Sequence, residues 1–211
     1  FYEDQIKQSF TNIEVFNIFN SNKKLLHFLF KIKIITINDT ICNELFLKQP
    51  NFNSYRHFFY PEIKNFIGKD QSESLEKELQ EKDSNIFEHF EEKREEGEND
   101  TILCSLIRKD SIEEFITYIN STNISLNSYI KPSIFETNAF LNENKNISLI
   151  EYASFFGSIQ IIQYLILNKV ELKPSLWLYM AHSRNAELFH LFEENKIDLP
   201  EFEKSNKEGD F

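Results

Sequence analysis

Five histidines and two cysteines are the side chains in this 211-residue sequence whose types best suit nucleophilic, acid–base or metal chemistry. Their spacing gives none of those chemistries a frame. His27, His57, His89, His182 and His190 are scattered, and Cys42 and Cys104 are too far apart to supply the paired ligands of a zinc site. His182 and His190 fall on different predicted helices, so they do not share a metal-binding face. Cys104 would need a depressed pKa and a histidine neighbour to act as a nucleophile, and inside ILCSLI it reads as a core thiol. The sequence has no Gly-rich phosphate loop and no HExxH pair, and its 34 acidic residues are too many to single out an acid–base couple. These residues predict a non-enzymatic chain with no metal and no cofactor.

The charge balance narrows the partners. A net charge of −11 argues against nucleic acid and against an anionic membrane surface. The longest apolar-leaning stretch, Leu25–Ile37, is interrupted by His27, Lys31, Lys33 and Thr36 and is too short to span a bilayer. FYEDQIKQSF lacks the basic and apolar regions of a signal peptide, and two thiols inside apolar patterns suit a reducing compartment, so a cytoplasmic protein is expected. The chain begins without an initiator Met and is read as a piece of a longer protein. Its 22 Phe reflect coding bias more than an aromatic platform, while only four Gly and five Pro weigh against a hairpin-rich β fold.

The elements that must position any site are therefore helices. Ile6, Phe10, Ile13, Phe16 and Phe19 recur at helical steps, as do Leu25, Leu26, Leu29 and Phe30. Lys31–Ile37 alternates like a strand but has no partner to pair with, so it is expected to be a helix end leading into a loop. Asp39 or Thr40 is expected to cap a helix through Ile41 and Leu45 that stops before Pro50, and Pro61-Glu62 suits a first helical turn. Residues 69–100 carry thirteen acidic against five basic residues, and the acidic segment 69–98 ends in a run expected to be a solvated helix end and turn. The alternative for this run is an acidic docking surface for a basic partner.

The stretch NISLIEYASFFGSIQIIQYLILNKVEL, from Asn146 to Leu172, reads as two short helices joined at Gly157. Ser148 and Glu151 form a capping box, and Ile161, Ile162, Leu165 and Ile166 mark a buried stripe. Helices this short need neighbours. A 27-residue shift aligns Ser148 with Ser175, Ile150 with Trp177 and Leu165 with Phe192; a shift of about 46 the other way aligns Phe115 and Ile119 with Ile161 and Leu165. Ile102, Leu103, Leu106 and Ile107 form the first stripe of that earlier pair, and Ser111 with Glu114, or Asp110 with Glu113, is expected to make a capping box inside it. Residues 121–147 are a long polar connection, expected to hold a helical turn near Pro132–Thr137 and to lay Phe135 and Phe140 on the stack. Trp177 is expected to fill the gap between neighbouring inner helices with its N–H on a carbonyl. The domain reading is a helical region at 1–98, repeats over 99–199 (about 101–120, 148–170 and 175–197) and a polar tail at 200–211.

SLIEYASFFGSIQIIQYLILNKVEL resembles an ankyrin repeat. Ser148 stands at the opening Thr, Ile150 at the Leu, Ala153 and Ser154 at the paired Ala, Gly157 at the Gly, and Leu165-Ile166 at the Leu pair. Leu149 replaces the helix-opening Pro, Glu151 replaces the His, and Lys169 stands where Gly closes the second helix; the next copy has Met180 and Arg184 at the Ala and Gly positions. With YRHFFYPEIKNFI and KPSIFETNAFL, the chain is similar to a divergent ankyrin family expanded in unicellular parasites. The resemblance implies an all-α, ankyrin-like solenoid acting as a protein–protein interaction module. It places the binding groove at Phe155, Phe156, His182 and Ser183, with Lys109 and Asp110 beside them. Those two phenylalanines form either an exposed patch or part of the core under the connection 121–147. The alternative function is a structural subunit of a large cytoplasmic or cytoskeletal assembly.

Overall fold

A computed structural model describes residues 2–47, 53–144 and 146–200. The expected helix stop before Pro50 and the polar tail beyond residue 200 lie outside the described residues. The fold is all-α, and the described residues contain no strand, only an isolated antiparallel bridge between Tyr129 and Ser148. In chain order the helices are α1 (Tyr2–Ser9), α2 (Asn12–Phe19), α3 (Lys23–Lys31), α4 (Asp39–Leu47), α5 (Asn53–Phe58), α6 (Tyr60–Ile63), α7 (Lys69–Lys82) and α8 (Phe90–Glu96). They continue with α9 (Ile102–Arg108), α10 (Ile112–Thr122), α11 (Ala139–Glu143), α12 (Leu149–Phe156), α13 (Ile159–Leu167), α14 (Leu176–Ser183) and α15 (Ala186–Glu194).

Two compact units divide the chain. The first is Phe1–Asp100 together with Pro132–Lys145; the second is Thr101–Lys131 together with Asn146–Phe211.

In the first unit, Thr11 and Glu14 form a capping box on α2, and the Asn22 side chain accepts from Leu25 N–H to cap α3. The cap of α4 is Asn38 rather than Asp39 or Thr40, because its Oδ1 sits 2.9 Å from the Ile41 amide, three residues on. Lys31 ends α3 and the chain runs on as a turn and loop, as expected, with Ile34 and Ile35 buried in it. Phe16, Leu26, Ile41, Phe58, Phe59 and Ile63 form a core closed to solvent.

The segment after residue 131 departs from expectation in this unit. Phe135 is buried in its core, edge-on to Phe90 at 5.2 Å, and not laid on the repeats. Phe140 is half-buried on α11 of the same unit, and the helical turn of this segment lies at Ala139–Glu143, after Pro132–Thr137. The cause is Lys23: its buried Nζ donates to the Ile134 and Glu136 carbonyls at 3.0 and 2.7 Å, binding the returning segment to α3. Thr137 adds a second tie by donating its amide and hydroxyl to the Gly97 carbonyl. Gly97 has φ +67°, and a Cβ there would stand 2.9 Å from Thr137 Oγ1, so glycine is required.

The acidic run at the end of α8 is not wholly solvated either. Arg94 is 1% exposed, with Nη2 2.6 Å from Glu62 and Nη1 2.8 Å from Glu91, and its guanidinium faces the Phe58 ring at 5.0 Å. A cation folds inward here because two carboxylates and a ring replace its water.

In the second unit α9 packs on α12, α12 on α14, and α10 on α13. The turn inside each helix pair passes through the left-handed region, at Asp110 (φ 50°), Gly157 (φ 72°) and Arg184 (φ 53°). The end of each second helix does so again, at Asn123, Lys169 and Lys196. Gly157 to Arg184 and Lys169 to Lys196 are each 27 residues, the spacing of the sequence echo. The left-handed positions recur at that spacing although the residues that fill them differ.

The capping box expected inside the first pair is absent: Ser111 makes no capping bond. Asp110 reaches out of its pair, and its two carboxylate oxygens accept the Gln160 and Ile161 amides at 3.0 Å, at the start of α13. Ser158, the residue before that helix, is released from capping and donates to the Ile107 carbonyl at 2.6 Å. Leu103 and Ile107 are buried as expected, but Ile102 is 61% exposed. Trp177 donates Nε1–H to the Ile197 carbonyl at 3.2 Å, and its ring meets Phe189 and Phe192 of α15 edge-on.

Candidate interaction surface

The inner helices α9, α12 and α14 each end at a left-handed turn, so their last residues come out at one level of the second unit. Start signals fix the register of two of them. Thr101 accepts from the Cys104 amide to begin α9, and Ser148 and Glu151 box the start of α12. Glu151 is buried and serves two helices: Oε2 accepts from the Ser148 amide and hydroxyl at 2.8 and 2.7 Å, and Oε1 accepts from Ser175 Oγ at 2.7 Å, just before α14.

With the helices so placed, a row of side chains crosses all three. Arg108 on α9 donates Nη1–H to the Tyr152 hydroxyl at 2.8 Å, and its guanidinium lies 6.0 Å from the Phe156 ring centre. Phe156 meets the buried Tyr152 ring at 4.8 Å and Phe155 at 5.0 Å. Phe155 in turn stacks on His182 of α14 at 4.8 Å with an interplanar angle of 27°. Phe155 and Phe156 are half-buried and His182 is exposed. The rings therefore lie between the two readings left open by the sequence: one side is packed, the other meets solvent.

The remaining candidates have local duties. Ser183 donates to the Met180 carbonyl at 2.8 Å and accepts from the Asn185 amide at 3.2 Å, which shapes the turn after α14. Asp110 is committed to the cap of α13. Lys109 is exposed at the end of α9. Arg108 and Tyr152 were not singled out by the sequence reading. Tyr152 stands four residues before Phe156, the helical spacing that brings side chains together, so its share in the row was open to inference.

Elsewhere the titratable residues are spent on structure. His57 is buried with Nε2 3.0 Å from Glu78, while His89 and His190 are exposed beside Glu92 and Glu193. His27 is buried edge-on to Phe58, and neither ring nitrogen has a hydrogen-bond partner among the described residues. Burial first, and the nearby Arg94 charge second, push its pKa down to about 4. Cys42 and Cys104 are both buried, and burial, aided by Asp39, raises the Cys42 thiol above its ordinary value. Among the described residues no group of His, Cys, Asp and Glu could hold a metal ion, and no helix is long and apolar enough to cross a membrane.

Comparison with known protein families, with curated proteins and with solved structures finds no match to this chain.

Proposed function

We propose that the second unit is a degenerate ankyrin-type stack of three helix pairs that works as a non-enzymatic protein–protein interaction module in the cytoplasm. The observation that carries this reading is the row Phe156–Phe155–His182, whose rings are held from beneath by Tyr152 and Arg108 while keeping a face to solvent. Aromatic side chains fixed on one side lose little freedom when a partner covers the other, which is how a few residues come to dominate an interface. The recurring left-handed turns support the repeat reading, since stacked pairs need the same chain reversal whatever their side chains. The cytoplasmic setting rests on the two buried thiols.

The test is a pull-down from native extract with the full chain and with a Phe155→Ser/Phe156→Ser variant, alongside thermal melting of both. The expected result is loss of a bound protein with a melting shift of only a few degrees. A variant that unfolds at low temperature would make the rings core and sink the reading.

A further inference from the structure

The proposed interaction reading leaves the partner's chemistry open, and the rim of the aromatic row bears on it. The chain as a whole carries −11, yet the charged residues at the ends of the inner helices are mainly basic. Arg108 and Lys109 close α9 at one end of the row; His182 and Arg184 close α14 at the other. The one carboxylate in those turns, Asp110, is occupied by two backbone amides that form the cap of α13. Lys109 and Arg184 are exposed, while Arg108 is anchored on Tyr152 with its guanidinium against Phe156. Helix C-termini favour cations, which accounts for one such residue at a time. It does not account for their flanking a solvent-facing pair of phenylalanines on both sides.

We infer that the row receives an acidic linear peptide segment carrying an aromatic or branched aliphatic side chain. The apolar side chain covers Phe155 and Phe156, and carboxylates on either side of it meet Arg108–Lys109 and His182–Arg184. An acidic ligand for an acidic protein needs a local field of opposite sign, and these turns supply it. This inference rests on the interaction reading above and adds the sign of the partner's charge.

The experiment uses the full chain and two fluorescein-labelled decapeptides that alternate charged residues with Phe and Leu, one built on Glu and Asp, the other on Lys. Anisotropy titrations should show the acidic peptide binding, the basic one not, and binding weakening as NaCl rises. Lys109→Gln with Arg184→Asn removes two exposed charges, and Asn tolerates the left-handed turn at 184. That variant should bind the acidic peptide about three- to tenfold more weakly and melt as the parent does. Phe155→Ser/Phe156→Ser should abolish binding. If the acidic peptide fails to bind, if both peptides bind equally, or if the charge variant binds unchanged, the inference is overturned. The interaction reading falls separately, on the extract pull-down: a non-acidic partner captured through Phe155 and Phe156 would keep that reading and discard this one.

Discussion

The carboxylate of Asp110 accepts the Ile161 amide at 3.0 Å across 51 residues of sequence, so one helix pair supplies the N-cap of the next. With Ser158 donating back to the Ile107 carbonyl, the two turns hold each other. Asp110→Ala should cost about 1–2 kcal/mol, the range of a lost cap, with a further loss because Ala tolerates the left-handed turn less well than Asp. Asp110→Asn keeps one acceptor and tolerates that conformation, so its loss should be clearly smaller. Urea denaturation of both variants checks the order, and equal losses would show that the cap carries no weight.

Left-handed turns occupied by residues with side chains are places where stability was not maximised. Lys169 is exposed at φ 58°, its amide bonded to the Ile166 carbonyl. Lys169→Gly should stabilise the chain by about 0.5–1 kcal/mol by relieving the Cβ clash. Gly157→Ala should do the reverse, since a Cβ there would stand 3.3 Å from both Asn185 Nδ2 and Ser183 Cβ, at φ +72°. Differential melting of the pair is the measurement, with opposite signs expected.

Arg94 is the largest fully buried side chain among the described residues, and its worth lies in what its removal would strand. Burial already raises the Glu62 carboxyl above its ordinary value, although Arg94 pulls it back. Arg94→Met should cost about 3 kcal/mol at pH 7 by leaving that carboxylate without its cation. The loss should shrink at a lower pH, because protonating Glu62 removes the stranded charge and burial already favours its neutral form, and also in Arg94→Met combined with Glu62→Gln. Chemical denaturation at the two pH values reads both effects.

Two buried bases give the first unit a stability that rises with pH. His27 titrates near 4 when folded against 6.5 ordinarily, and burial lowers Lys23 from 10.5 to about 7, with Glu136 opposing. Within each window the unfolded chain holds the extra proton, so raising the pH favours the folded state. The two N–H bonds of a neutral Lys23 amine match the two carbonyls it meets. Unfolding free energies at pH 5, 7 and 9 should increase in that order, by on the order of 1–3 kcal/mol per window. His27→Leu should flatten the lower step and Lys23→Met the upper one; a wild-type profile that falls between pH 7 and 9 would contradict the Lys23 assignment.

Much of the helical framework was legible in the sequence because its signals are local. The Ser148–Glu151 box, the reversal at Gly157 and the buried Ile161, Ile162 and Leu165 each depend on residues within a turn or two. What was misplaced depends on distant partners. Asp110 looked like a cap for its own helix because nothing near it announces Gln160 and Ile161. Phe135 looked like a neighbour of the repeats that surround it in sequence, since the pull of Lys23 from more than a hundred residues away leaves no periodic trace. Arg94 sat in an acidic run that composition assigns to solvent. At the candidate surface Phe155 and Phe156 were found by position, but their half-burial follows from Tyr152, Arg108 and His182 on three helices, and pattern alone does not carry that.

The tie between Lys23 and the Ile134–Glu136 backbone also has a consequence for the order of events during synthesis. Translation delivers α1 to α8 first, but the segment that completes their core leaves the ribosome only after thirty-one further residues, Thr101–Lys131, that belong to the other unit. Until then the nascent first unit has neither the carbonyls that receive Lys23 nor the Phe135 ring that packs on Phe90. Vectorial folding from the N-terminus, the usual course for a chain of domains, is therefore interrupted here. The first unit is completed only at Lys145, after part of the second has already been synthesised.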